Sequence, residues 1–384
     1  MATDKQHKIP NAPNLRFPEF EGEWKESLLQ DVATLSKGAG ISKEQLSKEG
    51  NPCILYGELY TKYNSEVITE IYSRTNIDLK NLVLSKKNDV IIPSSGETAI
   101  DISTARCVPF DNIFLGGDLN IIRLNGHDGR FLSYQLNGVR RLDIAKVAQG
   151  VSVVHLYGEN LRRLKVRFPR KEEQEKIAAF MTVIDARIQT QIGAIEKIES
   201  LISCLYDKLF QTETGETKPL KGICQIRKGK QVNSDQLSER GEYYVMNGGI
   251  TPSGYWDKFN AESGTISISE GGNSCGYVQY NEYRFWSGGH CYTLHPDNKR
   301  ILTKYLFHYL KYRQQDIMAL RTGSGLPNIQ KKDLENYRIL ITSFAKQMHI
   351  SEILDSFYSK LDIERRLLEQ YRLQKQYLLS QMFV

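Results

Sequence analysis

Pro169–Phe210 reads "PRKEEQEKIAAFMTVIDARIQTQIGAIEKIESLISCLYDKLF". After its opening proline the stretch has no other proline and one glycine, Gly193. Its apolar residues recur at alternating steps of four and three. They are Ile177, Met181, Ile184, Ile188, then polar Gln191, then Ile195, Ile198, Ile202, Leu205 and Leu209. That is a heptad seam, and it predicts one long helix of about 60 Å at 1.5 Å per residue. A helix of that length with such a seam needs a partner. The C-terminus supplies one, with a seam of Ile350, Leu354, Phe357, Leu361, Glu364, Leu368, Tyr371, Lys375, Leu378 and Met382.

The stretches before the two helices also correspond. "GVSVVHLYGENLRRLKV" (Gly150–Val166) and "GSGLPNIQKKDLENYRI" (Gly323–Ile339) share punctuation at an offset of 173 residues. The match continues through Gln174/Gln347, Ile177/Ile350, Leu205/Leu378 and Phe210/Phe383. Upstream, Leu29–Gly57 aligns with Leu220–Gly248 without a gap at an offset of 191, with eight identities that include Lys37/Lys228 and Gly38/Gly229. The period far exceeds that of a solenoid repeat, so the chain is a duplicated pair of domains. Each copy has an opening segment, a variable middle and a closing helix. Duplication favours an antiparallel helix pair, with Gln191 and Glu364 facing one another near the midpoints to set register. Ile353, Ile363, Leu367 and Leu379 lie off the seam, which implies partners beyond one helix.

The middles show short strands between turn signals. Asn51–Tyr60, Leu82–Pro93 and Arg130–Leu136 are strand-like in the first copy. Glu242–Asn247, Gly264–Ser269, Cys275–Tyr280 and His290–His295 are strand-like in the second, and Thr303–Leu320 is helical. The expected class is mixed α/β, with two globular domains carrying curved sheets on a pseudo-twofold frame of two long antiparallel coiled-coil helices.

Composition narrows the function. The chain has 384 residues and a net charge of +6, and no apolar run reaches the roughly 18 residues of a membrane span. Residues 1–15 read as a flexible polar arm. The six cysteines show no C-x-x-C spacing, so no metal site is expected, and reduced, mostly buried thiols are. His290, in an apolar strand setting, reads as a core residue. No P-loop, G-x-S-x-G, H-E-x-x-H or Asn-Pro-Pro-aromatic motif is present, so no catalytic residue is assigned. "LRRLKVRFPRK" concentrates Arg162, Arg163, Lys165, Arg167, Arg170 and Lys171, a face able to neutralise phosphates or an acidic partner.

"W-x7-V-x4-KG" (Trp24, Val32, Lys37, Gly38), the two exit stretches, and "P-x-x-x-E-Q-x-x-I" (Pro169, Glu173, Gln174, Ile177) leading into a heptad helix resemble the specificity subunit of type I restriction–modification enzymes. The resemblance runs from about residue 16 to 384. The second copy departs from it, with Ala345-Lys346-Gln347 where the first has Glu172-Glu173-Gln174. The resemblance implies target-recognition domains at 16–168 and 213–341 and spacer helices at 169–212 and 342–384. It implies that each domain reads one half of a bipartite site in double-stranded DNA. Two methyltransferase subunits would dock on the helices, and motor-nuclease subunits would join the full complex. S-adenosylmethionine, ATP and magnesium would then sit on those partners, with no cofactor in this chain, in the cytoplasm.

Loops that follow strands are the expected DNA contacts, because glycine and small polar residues bring backbone close to a ligand. In the first domain these are Tyr60, Lys62, Ser94, Ser95, Gly96, Glu97 and Thr98. In the second they are Asn247, Thr251, Ser253, Tyr255, Gly271, Gly272, Asn273 and Ser274, with Ser324 and Asn328 in the exit. Two other classes remain open: a self-contained DNA-cutting or DNA-modifying enzyme, and a coiled-coil adaptor without affinity for nucleic acid.

Overall fold

The computed structural model describes residues 11–77, 82–150, 153–211, 213–323, 325 and 327–384. The chain divides into two compact units. Unit 1 holds residues 1–192 and 366–384, and unit 2 holds residues 193–365. The long helices, Lys171–Gln211 and Phe344–Gln381, each contribute residues to both.

The same sheet is built twice. In unit 1 a four-stranded antiparallel sheet runs in the order Ala33–Lys37, Leu119–Leu124, Asp89–Pro93, Arg106–Val108. In unit 2 the order is Cys224–Lys228, Cys291–Pro296, Thr265–Ser269, Val278–Asn281, again antiparallel. Each unit adds a second sheet with one parallel pairing: Asn51–Ile54 with Phe114–Leu115, and Tyr243–Met246 with Phe285–Ser287. The inner strands of these sheets are almost wholly buried, as in Val90, Ile91, Ile92, Ile121 and Ile122, or Ile266, Ile268 and Leu294, while Ala33–Lys37 and Cys224–Lys228 at the edges are largely exposed. Burial on both faces explains the apolar run Val90-Ile91-Ile92, while Thr265–Ser269 buries small hydroxyl residues between its isoleucines.

Arg130–Leu136, expected as a strand, is the core of helix Gly129–Asn137. Asp128 caps it, its carboxylate accepting from the Arg130 and Phe131 amides. Nearly every residue of the helix is buried, so no polar face marks its period. Its counterpart is Thr303–Tyr312, which ends at Arg313 before a second short helix, Gln314–Ala319. Within Asn51–Tyr60 only Asn51–Ile54 is strand, and Glu58–Thr61 turns into a short helix.

One buried glutamine ties each domain to its spacer helix. Gln174 accepts from the Asp128 amide at 3.0 Å and donates to the Pro169 carbonyl at 2.8 Å. Gln347 accepts from the Leu302 amide at 2.8 Å and donates to the Thr342 carbonyl at 2.8 Å. Asp128 and Leu302 are the N-caps of the two domain helices, so one side chain closes two helix starts in each unit.

The helices run antiparallel within each unit. Asp185 meets Lys375 and Arg187 meets Tyr371 in unit 1. Glu199 meets Arg365 and Tyr206 meets Tyr358 in unit 2. Ile177, Met181, Ile184, Ile188, Ile195, Ile198 and Ile202 are buried as the seam requires. Beyond them the buried stripe moves off Leu205 and Leu209, both only half-buried, onto Tyr206 and Phe210. A 3.6-residue helix drifts about 20° per heptad against a 3.5 repeat, and the shift brings the rings onto Tyr305, Tyr309 and Tyr312. Gln191 is buried and Glu364 half-buried. Of the off-seam residues Leu379 is buried and Ile353 half-buried, while Ile363 and Leu367 are exposed.

Residues 11–15 do not form part of a free arm. The Leu15 amide donates to the Gln381 carbonyl at 2.9 Å, and the Asn11 carbonyl accepts from Trp24 at 2.9 Å. Arg16 then grips buried Glu173 with two bonds, at 2.8 and 2.7 Å. Residues 1–10 lie outside the described residues.

Candidate nucleic-acid interface

The strand-following loops and the exit stretches, quoted separately from the sequence, form one site in each unit. In unit 1 the Leu156 amide donates to the Ser94 carbonyl at 2.9 Å, and Ser95–Gly96 pairs with Val154–His155. In unit 2 the Ile329 amide donates to the Glu270 carbonyl at 2.9 Å, and Gly271 bridges Asn328. The exit itself is a closed loop both times. Gln149 and His155 exchange amide–carbonyl bonds at 2.9 and 2.7 Å, and Thr322 and Asn328 do so at 2.8 and 3.0 Å. Gly150 and Gly323 open these loops with φ of 123° and 96°, the left-handed region that glycine enters without steric cost.

A buried donor on the central strand locks the exit. Asn120 donates to the Leu156 carbonyl at 2.9 Å, and at the equivalent position the Tyr292 hydroxyl lies 3.1 Å from the Ile329 carbonyl and 2.9 Å from Glu270, its one proton shared between the two acceptors. Two glycine turns cross beside it. A Cβ on Gly38 would lie 2.0 Å from the Gly116 carbonyl oxygen, and one on Gly229 would lie 2.2 Å from that of Gly288. The Lys-Gly signature is therefore a backbone crossing over Gly116-Gly117 and Gly288-Gly289. These glycine pairs carry their own offset of 172, the signal that would have found them in the sequence.

The expected contact residues divide into frame and free surface. Ser94 is buried, so its side chain offers little to a ligand. Thr98 caps helix Ala99–Ile102 through the Asp101 amide, while Glu97 stays exposed. Lys62 donates to buried Glu58 at 2.6 Å and to Ser73 at 3.1 Å. Tyr60 is exposed, and its phenol pKa is raised first by partial burial, then by Tyr56, Glu97 and Asp101 nearby. In unit 2, Gly271 and Gly272 pair with the exit, and Asn273 is exposed with Ser274 half-buried behind it. Asn328 is exposed and accepts from Gln330 at 2.9 Å. Ser324 lies outside the described residues. Asn247 and Ser253 line a cleft of about 480 Å³ with Gln231, Asn233, Ser234 and Asp235. Thr251 is exposed beyond it and Tyr255 is half-buried in strand Tyr255–Trp256.

His290 is not a core residue. Its side chain is 62% exposed, because it ends the Gly288-Gly289 turn instead of lying in the strand that begins at Cys291. Among the described residues the buried histidine is His308 on the domain helix, bonded to Asp355 at 2.9 Å. The basic stretch is partly neutralised: Lys165 and Arg167 both pair with Glu26 at 2.8 Å, and Arg162 pairs with Glu159. Those two pairings hold the Glu26 carboxyl below its usual range. Arg163, Arg170 and Lys171 stay exposed.

Among the described residues no cluster of His, Cys, Asp and Glu could hold a metal ion, and no helix is long and apolar enough to cross a membrane. Five of the six cysteines are buried and Cys204 is exposed. Burial pushes the Cys53 and Cys291 thiols up to about 11.

Known proteins share this layout. The model of the type I restriction modification DNA specificity domain matches residues 21–200 and again 212–371. A protein named as a type I specificity subunit in Mycoplasma genitalium is 31% identical over 163 residues, which is 40% of this chain and 42% of that protein. One from Mycoplasma pneumoniae is 32% identical over 164 residues, 42% of this chain and 44% of its own length. The matched stretches thus span less than half of those relatives. A specificity subunit from Methanocaldococcus jannaschii is 21% identical over 95% of this chain and 93% of its own. The solved structure of an S subunit from M. genitalium superposes with a TM-score of 0.72, at 23% identity over 97% of this chain and 99% of that one, and so shares its fold. With the family's domain matched once in each half, the chain belongs to the type I restriction–modification DNA specificity family.

Proposed function

We propose that this chain is the DNA-reading specificity subunit of a type I restriction–modification complex, with each unit reading one half of a bipartite site. The observation that carries the proposal is a loop frame built twice from equivalent backbone bonds and filled with different exposed side chains. Two different readers on one repeated frame suit an asymmetric two-part sequence, whereas a true homodimer would suit a palindrome. Tyr60, Glu97, Thr251, Ser253, Asn273 and Asn328 are exposed candidates for base contact, and Arg163, Arg170 and Lys171 for phosphate contact.

In this proposal the chain does no chemistry itself. Two methyltransferase subunits dock on the helices, where Val183, Leu201, Ile363, Leu373 and Tyr377 are exposed apolar residues. A motor-nuclease joins for cleavage. S-adenosylmethionine, ATP and magnesium belong to those partners, and the complex works in the cytoplasm. A solved structure described as showing complex assembly of a type I system shares this fold, with a TM-score of 0.55 at 16% identity.

The test is methylation mapping of host DNA with the chain and its methyltransferase co-expressed. A bipartite asymmetric motif is expected. Replacing Ser95–Thr98 with a flexible linker should alter one half of that motif and spare the other. Equal loss of both halves would count against separate readers.

A further inference from the structure

Asp118 and His290 occupy the same place in the two units. Each ends a Gly-Gly turn, and each immediately precedes the central strand, Leu119–Leu124 or Cys291–Pro296. The Asp118 carbonyl accepts from the Ser94 amide at 2.8 Å, and the His290 carbonyl accepts from the Glu270 amide at 2.9 Å. The backbone is the same and both side chains are exposed. Only the chemistry differs.

The surroundings differ in a matched way. In unit 1 neither the Asp118 carboxylate nor the Lys37 ammonium has a partner among the described residues, and neutral Ser94 lies behind them. In unit 2 the carboxylate has moved behind the turn. Glu270 replaces Ser94, is nearly buried, and binds Lys228 at 2.6 Å and the Tyr292 hydroxyl at 2.9 Å. His290 stands over it with Nδ1 3.7 Å from Oε2, which leaves Nε2 facing away from the carboxylate. Its amide is anchored by the Asn247 side chain at 3.2 Å, beside the cleft of about 480 Å³.

A bare carboxylate on a DNA-facing turn is repelled by phosphates. It gains only where an exocyclic amino group of cytosine or adenine donates to it. An imidazole N–H instead donates to the acceptors of a purine's major-groove edge, of which guanine presents two, O6 and N7. Building on the DNA-reading role proposed above, we infer that Asp118 and His290 are equivalent base-reading positions. Asp118 accepts from an amino group in one half-site, and His290 donates to guanine in the other.

The test uses the full chain co-expressed with its methyltransferase, with modified sites mapped across the genome. Asp118→Ala should relax a single base pair in one half-site, and His290→Ala a single pair in the other. Discrimination there should fall roughly 10- to 100-fold, with the opposite half and the spacer unchanged. The exchange variants Asp118→His and His290→Asp should change which base is preferred at that pair. Asp118→Asn and His290→Gln repeat the test with near-isosteric side chains, should alanine disturb a turn. An unchanged motif in all variants would overturn the inference. So would a uniform loss of methylation with no base change, the mark of a phosphate contact. A wild-type motif that is not bipartite would instead sink the DNA-reading proposal, and this inference with it.

Discussion

Glu173 and Lys346 sit at the same turn of the two spacer helices, one residue before the glutamine clamp, and carry opposite charges. In unit 1 Glu173 is buried and holds Arg16 in a bidentate pair, with the Trp24 indole donating to the same carboxylate at 3.3 Å. In unit 2 Lys346 holds Glu213 at 2.8 Å, half in solvent, and Thr342 adds a bond at 3.2 Å. Both ion pairs strap the segment that enters the domain onto the helix that leaves it. The glutamine beside them is unchanged because it must satisfy backbone groups, which are the same in both units. The ion pair inverts because both of its members change sign together, while the neutral donors beside each carboxylate, the Trp24 indole and the Thr342 hydroxyl, follow the carboxylate to its new place.

Burial also separates the straps. Glu173→Lys leaves Arg16 and Trp24 facing a buried cation, and should cost unit 1 about 3 to 5 kcal/mol in a chemical melt. Lys346→Glu, at a half-exposed pair, should cost about 1 kcal/mol or less. Restoring the pair by Glu213→Lys in that background should recover most of the loss. Arg16→Glu with Glu173→Lys should not recover it, since the indole keeps its misplaced partner. Equal costs in the two units would break the comparison.

The glutamine clamp predicts the opposite, a symmetric effect. Gln174→Ala and Gln347→Ala each orphan a buried N-cap amide and should each cost about 1 to 3 kcal/mol. A large inequality between them would show that one clamp is redundant.

A smaller difference lies where each domain helix rests on its spacer helix. In unit 1 the Tyr134 hydroxyl donates to Asp185 at 2.7 Å, and Asp185 shares Lys375 with Glu66. In unit 2 the counterpart of Tyr134 is His308, placed between Asp355 and Tyr206 with Lys304 nearby. Burial holds the His308 imidazole below its ordinary range, against the pull of Asp355. The unfolded chain therefore takes up a proton below about pH 6.5 that the folded unit resists, so local stability falls as pH drops through that value. Burial, and then Glu66, push the Asp185 carboxyl up to about 6. The folded state binds that proton more readily than the unfolded chain does, so this group favours folding as pH falls from about 6 towards 4. Hydrogen exchange across pH 5 to 7.5 should show helix Thr303–Tyr312 losing protection on acidification more than helix Gly129–Asn137. His308→Asn should flatten the difference, and an unaltered profile in that variant would refute the assignment.

The duplication is legible in the sequence, but its two copies do not show their elements equally. Thr303–Leu320 shows a helix because a polar edge accompanies its apolar face. Arg130–Leu136, its counterpart, hides the same helix because almost every position is buried. Gly116-Gly117 and Gly288-Gly289 hold the two middles in register, so the helix visible in one copy marks the place of the hidden helix in the other. The site was legible in its parts. The loop at Ser94–Thr98 and the exit at Gly150–Val166 each stand out by composition, but their pairing depends on long-range hydrogen bonds that no local pattern encodes. "HCYTL" alternates like a strand from His290 onward, while the glycine turn ahead of it delays the strand by one residue.

By itself the sequence determined the two helices, the two domains, and the equivalence of Gln174 with Gln347 and of Gly150 with Gly323. These follow from periodicity and from spacing, which are properties of the chain order. Only the tertiary structure decided which marked residues are frame and which are free. Ser94 and Glu270 match in backbone role and differ in side chain, and nothing local shows that Asp118 and His290 stand side by side with them. That assignment rests on which strand ends the sheet brings together, and sheet register is fixed by pairing across distance, not by neighbours along the chain.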